Sequence, residues 1–188
     1  MEPHSCQCEH DFVLILSDGV TLTPALEDAL FTAGCDDATI SARSGRVYLT
    51  FTRIGTSIKD AILSAIQDVR RANIGADVLR VDYCNLVTQA DVARRIGRTR
   101  QLVHQYISGR RGPGGFPSPV CEICDGSPLW YWCEVASWLW FNSMIPEHVL
   151  RDAEEVEAIN SVLEIEHQRK TRRSLIEEVE RVVQSTGN

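Results

Sequence analysis

TQADVARRIGRTRQLVHQYISGRR, residues 88–111, places two short helical patterns on either side of a glycine. Thr88 opens the first, with Asp91 three residues on as a weaker form of the capping box, in which cap and third residue satisfy each other's backbone donors. Val92, Ala93 and Ile96 then share one face, and Gly97 breaks the pattern. Thr99 caps a second helix over residues 100–107, with Val103, Tyr106 and Ile107 inward, and Gly109 ends it. Two short helices with a glycine turn between them make a helix-turn-helix. The small Ala93 lets the two cross closely.

Working outward toward the C-terminus, Val120–Cys124 and Pro128–Trp132 flank Asp125-Gly126-Ser127 and predict a β-hairpin wing. Pro117 and Pro119 keep its approach extended. Trp130, Trp138 and Leu139 supply a small aromatic core. A further helix is expected from near Glu134, with Cys133 where Ser or Thr would cap it better. Gln89, Val92, Ala93, Ile96, Gly97, Val103 and Tyr106 fall at the spacings of bacterial repressor helix-turn-helix units. Phe116-Pro-Ser-Pro-Val120, Gly126, Leu129-Trp130, Glu134-Val135 and Trp138-Leu139 follow in sequence. On these residues the segment 86–140 resembles winged helix-turn-helix DNA-binding proteins of the MerR, excisionase and AlpA-like type, with Cys133 as one departure.

That resemblance implies a sequence-specific binder of double-stranded DNA that regulates transcription, as a repressor and as a homodimer. In such a unit the second helix enters the major groove and its outward residues meet base edges. These are Thr99, Arg100, Gln101, His104 and Gln105. Arg100 suits guanine and Gln101 or Gln105 adenine, each worth about 1–3 kcal/mol of discrimination. Thr88, Arg94, Arg95, Arg98, Arg110 and Arg111 are expected on the DNA backbone, where contacts set register and affinity. The stretch Gly109-Arg-Arg-Gly-Pro-Gly-Gly115 lets backbone and guanidinium groups approach the sugar-phosphate rail.

The formal charge of −7 argues against nucleic acid until its distribution is read. Residues 88–111 carry six arginines against Asp91 alone, +5, while 13 cationic and 25 anionic residues leave the remainder at −12. A basic island on an acidic body suits a local phosphate contact and discourages indiscriminate binding.

Toward the N-terminus, Phe12–Leu16 is an apolar run of the kind that forms a buried strand. Thr23-Pro24 then caps a helix carrying Ala25, Leu26, Ala29, Leu30 and Ala33, which Gly34 stops. Two strand patterns, Ala38–Arg43 and Arg46–Arg53, are joined by Ser44-Gly45 as a two-residue turn. Ser57 with Asp60 starts a helix whose inner stripe is Ile58, Ala61, Ile62, Ala65, Ile66 and Val69. Leu79, Val81 and Tyr83 read as a final alternating strand. The order β-α-β-β-α-β is that of the ferredoxin-like fold. Tyr48 is the sole aromatic expected on the open face of its central strands, too few for stacking RNA bases.

From Pro146 the tail is helix-prone, as one long helix or two, with narrow apolar stripes at Val149, Val156, Ile159, Val162 and Leu163 and at Leu175, Ile176, Val179, Val182 and Val183. It suits a second copy of the chain or another protein partner; folding back on its own domain is equally consistent. The class is therefore α+β: a flexible N-terminus (1–11), a ferredoxin-like domain (12–84), a winged helix-turn-helix (85–145) and a helical tail (146–188). Two rival functions stay open: an antitoxin or adaptor with autoregulatory DNA binding, and an excisionase-like recombination accessory protein.

No catalytic set, cofactor motif or membrane-length apolar run is present, so neither an enzyme nor a membrane protein is expected, and the location is read as cytoplasmic. Seven cysteines without framework spacing argue against a disulfide scaffold. His4, Cys6, Cys8 and His10 alternate too closely to fold readily around one ion, and Cys121-x-x-Cys124 has no second pair. No metal is assigned to either.

Overall fold

The computed structural model describes residues 7–123 and 126–185. It is a mixed α and β chain that divides into two compact units, Met1–Asp82 with Ala158–Asn188, and Tyr83–Glu157. Among the described residues no helix is long and apolar enough to cross a membrane.

The first unit runs β1 (Cys8–Leu16), α1 (Pro24–Thr32), β2 (Ala38–Arg43), β3 (Arg46–Gly55), α2 (Ile58–Arg71), β4 (Val78–Val81). Its sheet is antiparallel throughout, in the order β2-β3-β1-β4. Local chemistry sets most boundaries. Thr23 and Ser57 cap the two helices by accepting from Leu26 N and Asp60 N. Ser44 and Gly45, at φ 53° and 77°, make the tight turn that matches strand twist. Val47, Leu49 and Phe51 point inward from β3 and Phe12 stacks on its cross-strand partner Phe51 at 5.1 Å. Such a pair adds about 0.5–1.5 kcal/mol to its area burial.

Two strands depart from expectation. β1 begins at Cys8, within the stretch expected to be a flexible terminus, because Cys8–Asp11 pair with Thr52–Gly55 of β3. Glu9 and Asp11 face solvent there, so apolarity does not mark this end of the strand. β4 is shorter than the alternating Leu79, Val81, Tyr83 pattern. A register shift at Ile15/Leu16 sets Leu16 against Val78 and Leu14 against Val81, so Val78 and Val81 are buried and Leu79 is not. Tyr83 belongs to the second unit.

The second unit contains β5 (Leu86–Val87), α3 (Gln89–Arg95), α4 (Arg100–Ile107), β6 (Trp130–Tyr131) and α5 (Trp132–Phe141). Its core gathers Val87, Val92, Ala93, Val103, Trp130, Trp132, Val135, Ala136 and Leu139. The tail is two helices, α6 (Glu147–Thr171) and α7 (Arg173–Ser185). Leu150 and Ala153 of α6 complete the core of the second unit. Further along α6, Asn160 lies against β4 of the first unit: its Oδ1 accepts from Val81 N at 2.8 Å and its Nδ2 donates to Val81 O at 3.2 Å. One side-chain amide thus does for this edge strand what a neighbouring strand would do. Arg70–Glu166 and Lys170–Asp77 ion pairs add to the same seam.

The hairpin expected over 120–132 is reduced to one bridge, Cys121 to Leu129. Trp130 and Tyr131 pair instead with Val87 and Leu86, since two residues just upstream of α3 offer the better edge. α5 begins at Trp132, two residues earlier than Glu134, and its N-cap Tyr131 makes no side-chain cap bond. Asn85 takes over that work: its carbonyl accepts from Trp132 N at 2.6 Å and its Oδ1 from Cys133 N at 3.3 Å. Asp125 and Cys124, together with His4 and Cys6 of the N-terminal cluster, lie outside the described residues. Cys8 and His10 stand on one side of β1 with Sγ and Nε2 3.2 Å apart. No group of three potential metal ligands occurs among the described residues.

Candidate nucleic-acid interface

Helix α3 is held at its start by a complete capping box. Asp91 N donates to Thr88 Oγ1 at 3.2 Å, and Thr88 N donates to Asp91 Oδ2 at 3.0 Å. The Thr88 hydroxyl also donates to Asp91 Oδ2 at 2.7 Å. These bonds, with Arg94 behind them, hold the Asp91 carboxyl below its ordinary pKa. Gly97, at φ 61°, takes the turn, and Arg98 N donates to Ala93 O across it at 2.9 Å. Thr99 caps α4 by accepting from Leu102 N. Gln89 Nε2 donates to Arg100 O at 2.7 Å and ties the two helices at their N-terminal ends.

On this frame Arg100, Gln101 and His104 stand exposed on α4 with Thr99 at its cap, and Gln105 is half-buried. Positions 100, 101 and 104 fall on one face of the helix, so the residues expected to read bases are displayed together. The six residues expected on phosphates divide. Thr88 is committed to the capping box, and Arg94 pairs with Asp91 at 2.6 Å. Arg95 turns inward. Its guanidinium lies 4.5 Å from the Tyr83 ring centre and 4.8 Å from that of Trp132, and Nη2 donates to Cys84 O at 2.6 Å. Its Nη1 is buried without a hydrogen-bond partner, and burial pulls its pKa down.

Arg98, Arg100, Arg110 and Arg111 are exposed and make no ion pair among the described residues. Elsewhere the cations are mostly spoken for: Arg46 by Asp18, Arg53 by Asp37 and Asp68, Arg71 by Asp68, Arg169 by Glu180 and Arg173 by Glu177. Single arginines such as Arg43, Arg151 and Arg181 have no such company. A run of four guanidiniums without a carboxylate among them is a surface suited to an anion repeated at short intervals.

The segment after α4 is built on aromatic rings. Tyr106, Trp138 and Phe116 pack in series, tilted and edge-on with centroids 5.4 Å and 5.0 Å apart, and Phe116 meets Trp130 edge-on at 6.2 Å. Trp132 joins Trp130 and Leu139 in the core, and Phe116 and Trp138 pack partly buried against it. Asn85 was not singled out in the sequence, and Arg95 and Trp132, expected on the DNA backbone and at the end of the wing strand, instead help hold the unit together. No local pattern signalled these roles, because the partners lie more than ten residues away in the chain. Compared with family models, with curated proteins and with solved structures, the chain matches none of them.

Proposed function

We propose that the chain is a sequence-specific double-stranded DNA-binding transcription regulator, acting through a winged helix-turn-helix at residues 85–145. The observation that carries this reading is the set of four exposed arginines, Arg98, Arg100, Arg110 and Arg111, with no ion pair among the described residues, on and around an exposed polar helix face in a chain of net charge −7. The resemblance of residues 86–140 to MerR, excisionase and AlpA-like proteins supports it. In this reading α4 enters the major groove, Thr99, Arg100, Gln101, His104 and Gln105 meet base edges, and Arg98, Arg110 and Arg111 meet phosphates. The β-α-β-β-α-β order and β2-β3-β1-β4 sheet support a ferredoxin-like N-terminal unit.

The same reading makes the chain a homodimeric repressor. Its support is α7, a 13-residue helix exposing Leu175, Val179, Val182 and Val183 along one side. Helices of that length are marginal alone in water. A second copy would cover the stripe and set two α4 helices about 34 Å apart, one DNA turn. The test is a gel shift on the DNA upstream of the protein's own coding sequence, with wild type beside Arg100→Ala over a range of salt. Specific retardation that weakens with salt and is lost in Arg100→Ala is expected. Folded wild-type protein that retards this DNA no better than random duplex at low salt defeats the autoregulator reading.

A further inference from the structure

We propose that the loop from Gly109 to Pro117, and not the Cys121–Leu129 hairpin, is the second DNA-contacting element of this unit, closing on the sugar-phosphate backbone beside α4. This rests on the DNA-binding reading above and goes beyond it by assigning the role that a wing would otherwise hold.

The hairpin is poorly equipped for a polyanion. No lysine or arginine occurs between Gly112 and Leu150. Among the described residues the hairpin has a single bridge, and its exposed side chains include Glu122, in the left-handed region at φ 53°, and Ile123, 62% exposed. An acidic and apolar surface beside phosphates is repelled and gains nothing in return.

The loop has the opposite character. Arg110 and Arg111 leave α4 directly, with both backbone amides donating to Gln105 O at 3.0 and 3.2 Å. Gly112, at φ 88°, lies flat on Tyr106: a Cβ there would stand 2.9 Å from the ring. Trp138 Nε1 donates to Gly114 O at 2.9 Å, and Trp130 Nε1 to Pro117 O at 3.0 Å. Two indoles, a tyrosine face and a shared carbonyl therefore anchor a loop that carries two free guanidiniums. Such anchoring removes much of the ordering cost that a loose loop incurs on binding. Glycines at 109, 112, 114 and 115 add no side chains between the backbone and a phosphate rail. Trp138 is thereby a positioning residue: it touches no DNA and sets where the arginines begin.

The experiment measures the salt dependence of binding by the full-length chain, on the upstream duplex and on a random duplex. Each lost phosphate contact lowers the slope of log affinity against log salt by about 0.9. Arg110→Ala/Arg111→Ala is expected to lower it by about 2 on both duplexes. Trp138→Phe keeps an aromatic ring against Tyr106 and Phe116 but removes the indole N–H. It is expected to lose part of the same slope while its circular dichroism spectrum stays unchanged. Glu122→Lys is expected to leave affinity and slope where they were. A slope that rises by about 1 in Glu122→Lys, or that is unmoved in the double arginine variant, overturns the proposal while leaving DNA binding intact. Wild-type protein that retards neither duplex at any salt overturns the DNA-binding reading itself, and this inference with it.

Discussion

Arg53 is the inward residue of β3 that follows Val47, Leu49 and Phe51, so the alternation that builds the sheet drives a charge into the core. It is 7% exposed. Its guanidinium is used in full: Asp37 at 2.7 and 2.8 Å, Asp68 at 2.7 Å, Ser64 Oγ and Gly34 O, with the Phe51 ring 4.9 Å away. The hydrogen bonds it donates to Asp37 lead in raising its pKa above the ordinary arginine value. Removing one partner of a buried ion pair strands the other, which costs about 3–5 kcal/mol. Arg53→Ala should therefore lower the stability of the first unit by about that amount in urea unfolding, and a loss under 1 kcal/mol would show the cluster to be solvated. Neither Arg53 nor Arg95 could be told from a surface arginine by composition. Both are drawn in by partners far along the chain, and Arg95 joins Tyr83 and Trp132 only once the second unit has folded. The count of six arginines in residues 88–111 was legible; that two of them, Arg94 and Arg95, are already engaged was not.

Elements whose ends are fixed by neighbouring residues could be read in advance, and those fixed by distant ones could not. Thr23, Ser57, Thr88 and Thr99 all cap helices where their spacing places them, because a cap bond spans three residues. The β5–β6 pairing spans more than forty residues and leaves no trace in either dipeptide, and the β4 bulge depends on β1. The capping box of α3 makes a pH prediction. Its bonds favour the ionised Asp91, so the stabilisation is present above roughly pH 4 and is lost as pH falls through and below that value. Stability of the second unit, followed by tryptophan fluorescence, should fall on acidification, and Asp91→Asn should flatten that limb. Thr88→Ala should cost about 1 kcal/mol at neutral pH. A variant with Asn at 91 that keeps the wild-type acid profile would remove Asp91 as the cause. Helix α5 depends similarly on Asn85, whose amide also donates to Glu157 at 2.6 Å.

At the scale of the molecule, charge is divided rather than spread: residues 88–111 are basic and the remainder is acidic. If the α7 stripe joins two copies, Leu175→Glu/Val179→Glu should convert the dimer to monomer in sedimentation velocity and weaken operator binding more than binding to random duplex. A wild-type chain that sediments as a monomer at tens of micromolar would discard the dimer. The first unit is also discontinuous: residues 1–82 are joined in it by residues 158–188, and the 83–157 segment is contiguous between them. Asn160 closes the β4 edge, so during synthesis the sheet emerges with that edge bare and waits for α6. At about 5–20 residues per second the wait, from residue 82 to Asn160, is several seconds. Residues made later thus finish a sheet made earlier, and a ribosome that stops before Asn160 releases that sheet with its β4 edge open.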